Sequence, residues 1–97
     1  MIDLHHVRTF CVVTETNNFT AAAERLGCSQ ATVTIHIQAL EREVGGRLFH
    51  RHRFTRRVLL TAVGNQMLQY GCELLQLAER AASEIRSAEL SSMTVDA

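Results

Sequence analysis

Apolar residues recur every three or four positions along most of this chain, the spacing that places them on one face of a helix. The pattern predicts four helices, bounded by Asp3 and Asn17, by Asn18 or Thr20 and Gly27, by Ser29 and Gly45, and by Thr61 and about Leu90. A short polar residue at a helix start accepts a hydrogen bond from a free backbone N–H group. Glycine suits the left-handed conformation in which many helices end. The chain is therefore predicted to be mainly α-helical.

The second and third predicted helices, in the stretch 19–44, are joined by a tight turn at Gly27. Val33, Ile37 and Leu40 predict the buried face of the third helix. The opposite face carries Gln30, Ala31, Thr34, Ile35, Gln38 and Arg42. Amides and hydroxyls can read base edges in the major groove, and an exposed Ile can contact a thymine methyl group. The stretch predicts a helix-turn-helix that reads DNA; the alternative is a core helix with an uncharged surface.

After Gly45 the helical spacing stops, and two short strands, Arg47–Arg51 and Arg57–Leu60, are predicted. The loop between them is basic, and the arginines of this region are Arg47, Arg51, Arg53, Arg56 and Arg57. A hairpin with an arginine-rich tip beside a reading helix predicts a wing, because arginine suits phosphates and narrow minor grooves. The alternative is a solvated run of charge.

The last predicted helix is too long to be buried along its whole length on so small a domain. Small and apolar residues form a seam along it at alternating spacings of three and four, namely Met67, Gly71, Leu74, Ala78, Ala81 and Ile85. Such a heptad seam is typical of helices that pair. We expect the first half to pack on its own domain and the second half to meet another chain. The predicted division is 1–60 for DNA binding, 61–90 for dimerisation and 91–97 for a tail or linker.

Composition limits the possible functions further. The 97 residues carry no net charge, but no acidic residue lies between Glu43 and Glu73, whereas five arginines do. This asymmetry indicates that one end of the molecule faces an anion. The chain shows no glycine-rich phosphate loop, no paired carboxylates in a plausible pocket and no Ser/His/Asp set, so we expect no enzyme and no cofactor. Without a signal peptide or an apolar run of membrane-spanning length, we expect a cytoplasmic protein.

Three cysteines lie within apolar helical patterns, Cys11, Cys28 and Cys72. We expect all three to be buried free thiols in a reducing compartment. A metal site or a redox switch is the alternative. The sequence contains no close Cys-x-x-Cys or Cys/His pair that would support this alternative, so no metal site is predicted.

Several linked motifs resemble one known family. They are Phe10 with Val13 and Glu15, Phe19-Thr20-x-Ala22-Ala23-x-x-Leu26, Ser29-Gln30, Gln38-x-Leu40-Glu41, Gly45-x-x-Leu48-Phe49-x-Arg51, and Leu60-Thr61-x-x-Gly64. Each motif is weak alone, but their order and spacing are specific. The chain resembles, over about 4–87, the DNA-binding domain of LysR-type transcriptional regulators.

The resemblance implies a winged helix-turn-helix followed by a long linker helix. Two linker helices would pair antiparallel, and the dimer would bind double-stranded DNA with an interrupted inverted repeat. Full-length members carry a C-terminal domain that binds a small-molecule inducer, and they can form tetramers; that domain is absent here, as in a fragment or an unusually short protein. The implied DNA-binding residues are Thr20, Ser29, Gln30, Ala31, Thr32, Thr34, Ile35, Gln38, Arg42, Arg51, Arg53, Arg56 and Arg57.

Two residues depart from the family pattern. Ala31 stands where proline is common, and Ile35 stands where arginine is common. Because Ile35 lacks a guanidinium group, we expect a site richer in A·T at the base pair it faces.

The residues alone leave two other kinds of protein open as alternatives. One is a metal- or redox-sensing winged-helix repressor, and the other is a dimerisation module that blocks a full-length regulator.

Overall fold

The computed structural model describes residues 1–50 and 58–95, and this part of the chain is mainly helical. Its helices are α1 (Leu4–Thr16), α2 (Phe19–Leu26), α3 (Gln30–Val44) and α4 (Ala62–Val95). The four predicted helices are confirmed, and α4 continues beyond its predicted end near Leu90. None of the described helices has the length and apolar character needed to cross a membrane.

The starts of the first three helices are capped by side chains. Asp3, Asn18 and Ser29 each accept a hydrogen bond from the backbone N–H of a residue two or three positions later, at 2.8, 3.0 and 3.1 Å respectively. These bonds satisfy donors that have no partner within the helix. Asn18, not Thr20, therefore caps α2, and the hydroxyl of Thr20 is available for another contact.

The first three helices end in tight left-handed turns. Asn17, Gly27 and Gly45 have φ angles of 56°, 70° and 76°. Glycine adopts this conformation without a steric cost, and asparagine is one of the few other residues that adopt it readily. Three residues, 27–29, join α2 to α3, and the side chains of Thr20 and Gln30 link the starts of the two helices.

The core of the domain is built around α1, which packs against each of the other three helices. The largest side chains that are fully buried are Phe10, Leu40, Leu48, Val7, Val13 and Val33. Phe49 closes one side of this core, with its ring centroid 5.4 Å from Phe10 and 5.9 Å from Phe19. These contacts hold α2, α3 and the segment after α3 on a single apolar centre.

The predicted wing is described only at its base. Phe49 and Leu60 form an isolated antiparallel bridge, and the N–H of His50 donates to the carbonyl of Leu59 at 2.8 Å. Within the described residues, the two predicted strands are not formed along 47–50 and 58–60. The strand pairing there consists of this single bridge. Residues 51–57 lie outside the described part, and with them the predicted arginine tip.

Only the first part of α4 packs on its own domain. Met67 and Gly71 are buried against α1, and a Cβ added at Gly71 would lie 3.1 Å from Val7 Cγ1. Their prediction as dimer contacts is therefore corrected: they are core residues of the single chain. From Glu79 to Ser91 every residue of α4 is exposed, so this half is not buried against the rest of the described domain.

The three cysteines differ in exposure, and all are free thiols. Cys11 is buried as predicted, and its burial is the main cause that raises its pKa to about 12. Cys28 is half-buried. Cys72 is exposed, so its predicted burial is wrong, although its thiol interacts with that of Cys11 and adds to the rise of the Cys11 pKa. No three His, Cys, Asp or Glu residues among 1–50 and 58–95 are arranged to hold a metal ion.

Candidate nucleic-acid interface

The outer face of α3 brings together five of the thirteen predicted DNA-binding residues. Gln30, Ala31, Ile35, Gln38 and Arg42 are exposed on it. Ile35 has 59% of its surface exposed, which is a large exposure for a β-branched apolar residue in a small domain. Because the side chains of α3 repeat every 3.6 residues, these five positions form one continuous strip along the helix.

At the start of α3, two of the predicted DNA-binding residues form hydrogen bonds within the protein. The Ser29 side chain caps the helix, and its Oγ lies 2.9 Å from the Thr32 hydroxyl. Thr32 is half-buried, as is Thr34 further along. The hydroxyl of Thr20 at the start of α2 reaches the side chain of Gln30, 3.3 Å away. The N-termini of α2 and α3 therefore form one polar surface beside the exposed strip.

A cleft separates α3 from the base of the hairpin. It is lined by Phe19, Thr34, Ile37, Gln38, Glu41, Arg47, Phe49 and His50. Glu41 anchors the hairpin there, because its Oε2 accepts the backbone N–H of Leu48 at 2.9 Å and lies 3.6 Å from the guanidinium of Arg47. The strip on α3 and the beginning of the wing segment are thus held side by side.

The inner flank of α3 is tied to α1 by polar side chains that the sequence analysis did not assign. Nδ1–H of His6 donates to Oε2 of Glu43 at 2.8 Å, and the Asp3 N–H donates to Oε1 of the same carboxylate at 2.9 Å. Two turns before Glu43 on α3, Nδ1 of His36 lies 2.8 Å from the Thr9 hydroxyl of α1. The seven-residue spacing of His36 and Glu43 places both side chains on one face of α3. This spacing was the feature of the sequence that could have indicated a shared contact with α1. These bonds fix the angle of α3 on the domain.

The carboxylate of Glu43 gives this tie a pH dependence. Its side chain is only 17% exposed, and the N–H of Asp3 followed by His6 lowers its pKa from the ordinary value of 4.5. A lowered pKa in the folded state means that the ionised group stabilises the fold above pH 4.5 and that this contribution is lost as the pH falls through the folded pKa.

We therefore expect Glu43→Gln to lower the melting temperature at pH 7, and this difference should disappear as the pH falls below 4.5 through the lowered pKa of the folded state. Circular dichroism melts at several pH values measure it. Glu84→Gln on the exposed half of α4, where the side chain is 73% exposed, is the matched control and should change little. If the melting temperature of Glu43→Gln stays below that of the unaltered chain by the same amount down to pH 3, the effect does not depend on the charge of Glu43.

Comparison with known proteins decides the family. Residues 4–65 match the family described as "Bacterial regulatory helix-turn-helix protein, lysR family". The chain belongs to the LysR family. The HTH-type transcriptional regulator YnfL of Escherichia coli (strain K12) is 43% identical over 82 residues, which make up 84% of this chain and 27% of that protein. The chain thus spans about a quarter of the length of this LysR-type relative.

Solved LysR-type structures share the fold. The crystal structure of the CbnR DNA-binding domain with DNA matches with a TM-score of 0.82 at 36% identity, over 90% of this chain and 98% of that one. The BenM DNA-binding domain in complex with DNA matches with a TM-score of 0.82 at 34% identity, over 89% of this chain and 94% of that one. Both neighbours are winged-helix domains in contact with DNA, so the family and the fold agree.

Proposed function

We propose that this LysR-type chain binds double-stranded DNA as a dimer, reads an interrupted inverted repeat and thereby regulates transcription in the bacterial cytoplasm, without enzymatic activity. The observation that carries the proposal is the exposed, largely uncharged strip on α3, with Ile35 at its centre. Support comes from the two matching DNA-binding domains, both of which are complexes with DNA. Exposed amides can form hydrogen bonds with base edges, and an exposed Ile can pack against a thymine methyl group.

In the proposed complex, the N-terminal half of α3 enters the major groove. Gln30, Thr34 and Gln38 form hydrogen bonds with base edges, while Ile35 packs against a thymine methyl group. Ser29, Ala31 and the start of α3 lie near the backbone, because free N–H groups at a helix N-terminus favour phosphate. The wing arginines are assigned to phosphates or the minor groove on sequence grounds, since they lie outside the described residues. Phosphate contacts position the domain and base contacts specify the site.

The part of α4 from Leu74 onward supplies the proposed dimer contact. Leu74, Ala78, Ala81 and Ile85 remain from the predicted seam after Met67 and Gly71 are removed. They continue the seven-residue spacing into the exposed half of α4, so a second α4 can cover them. Pairing of two chains would place two copies of α3 in major grooves about 34 Å apart, one helical turn of DNA.

Selection of the purified chain on a random duplex library at two salt concentrations tests the proposal. We expect an enriched inverted repeat, with affinity that falls as salt rises because phosphate contacts release counterions. Binding without any enriched sequence would contradict sequence-specific reading. A chain that dimerises yet binds no duplex would instead be a dimerisation module.

Ile35 gives a sharper prediction within this selection. We expect A·T at the base pair that Ile35 faces, and Ile35→Arg should move the preference there to G·C, because arginine pairs with guanine N7 and O6. The shift should be about tenfold or more in relative affinity at that one position. Ile2→Arg, at an exposed Ile outside the strip, adds the same charge as a control and should leave the preference unchanged. An identical preference for the Ile35→Arg and unaltered chains would contradict the assigned contact.

A further inference from the structure

Thr20, in the first turn of α2, lies against Gln30, the first residue of α3. Its hydroxyl donates a hydrogen bond to Oε1 of the Gln30 side chain, with 3.3 Å between the two oxygens. Both residues are exposed and border a surface cleft together with Asn18, Phe19 and Val58. Because Asn18 caps α2 through its own side chain, the Thr20 hydroxyl is not needed for the cap.

This contact fixes which end of the Gln30 amide faces outwards. A glutamine side chain carries an acceptor oxygen at one end and an NH2 group with two donors at the other. When Thr20 donates to the oxygen, the NH2 group is turned away from α2. An amide without this contact is free to turn, and it can then offer both ends to the same base.

The two orientations favour different bases. Guanine presents two acceptors in the major groove, N7 and O6, whereas adenine presents the acceptor N7 beside its donor N6 amino group. An amide that offers only its NH2 group therefore suits guanine. An amide free to present oxygen and NH2 together suits adenine, which glutamine reads by two hydrogen bonds.

We propose that Thr20 is a positioning residue that sets the base preference of Gln30: it holds the amide oxygen, and the outward NH2 group selects guanine over adenine. The inference rests on the proposed function, because it requires α3 to lie in the major groove. It also assigns the Thr20 hydroxyl to Gln30 rather than to a DNA phosphate.

The first test needs no DNA. The order parameter of the Gln30 side-chain NH2 group is measured by ¹⁵N relaxation in the unaltered chain, in Thr20→Val and in Thr20→Ser. We expect an ordered amide in the unaltered chain and in Thr20→Ser, and a value below about 0.6 in Thr20→Val. Thr20→Val has nearly the same shape as threonine, so a folded amide spectrum with unchanged Gln30 order would overturn the contact.

The second test uses four duplexes that differ only at the base pair whose preference Gln30→Ala removes. The unaltered chain and Thr20→Ser should prefer guanine there, and Thr20→Val should reduce the ratio of guanine to adenine affinity about threefold to tenfold. Equal weakening on all four duplexes would assign Thr20 to a phosphate, and a native preference for adenine would overturn the assigned base. An unaltered chain without preference at any base pair would contradict the proposed function, whereas the amide measurement would still decide the Thr20 contact.

Discussion

Ile85→Asp should leave the domain folded but convert the proposed dimer to a monomer that binds a duplex with two half-sites about 100-fold more weakly or worse. Ile85 is 69% exposed on α4, so the single chain tolerates the carboxylate. In a paired α4 seam the same carboxylate would lose its water and face apolar side chains, at a cost of several kcal/mol. Loss of the second half-site contact removes an avidity of about 10² to 10⁴.

Light scattering after size-exclusion chromatography gives the oligomeric state, and fluorescence anisotropy gives the affinities for duplexes with one and with two half-sites. Ser83→Asp is the matched control, because it adds the same charge to α4 two residues away, on the opposite side of the helix. It should stay dimeric and bind normally. An Ile85→Asp chain that remains a dimer would place the interface elsewhere on the molecule.

Gly64→Ala should destabilise the domain by about 3 kcal/mol, through the contact of α4 with the base of the hairpin. A Cβ at this position would lie 2.1 Å from the carbonyl oxygen of Leu48 and 2.9 Å from Leu60 Cδ2. The Leu48 carbonyl cannot move freely, because it accepts the backbone N–H of Thr61 at 3.0 Å. The start of α4 must therefore shift away from the core, and the bridge between Phe49 and Leu60 is strained with it.

Urea unfolding at a fixed protein concentration measures this loss, and the melting temperature should fall by more than about 10 °C. Gly46→Ala provides a matched control, since the three atoms nearest to its Cβ all belong to the side chain of Val63, the first at 3.2 Å. A side chain can adjust where a backbone carbonyl cannot, so the control should cost about 1 kcal/mol or less. Equal stability of the Gly64→Ala and Gly46→Ala chains would contradict this account of the α4 contact.

Local sequence patterns were sufficient for the helices. Asp3 and Ser29 were recognisable as caps, and the cap of α2 was narrowed to Asn18 or Thr20, because capping depends only on a side chain and the next few N–H groups. The face of α3 followed once the helix was known, since a period of 3.6 residues fixes which side chains point together. The exposed strip with Ile35 at its centre was predicted on this basis.

The sequence pattern alone could not show which residues of the α4 seam pack on their own domain and which remain exposed. Met67 and Gly71 have the same four-residue spacing as Ala81 and Ile85, yet the first pair packs on α1 and the second pair is exposed. Helical periodicity states that a face is apolar but not which surface covers it. The burial expected for Cys72 failed for a related reason, because an apolar stretch of helix does not specify which of its side chains the domain covers.

The sequence by itself determined the helices, the turn between α2 and α3 and the uncharged face of α3, because each depends on residues within a few positions. Only the tertiary structure decided how α3 is held. Its ties join His6 to Glu43 and Thr9 to His36, across 37 and 27 positions of the chain. Many polar residues could form such bonds, and the packing of α1 against α3 selects the pairs that do, since a hydrogen bond requires its two atoms within about 3 Å.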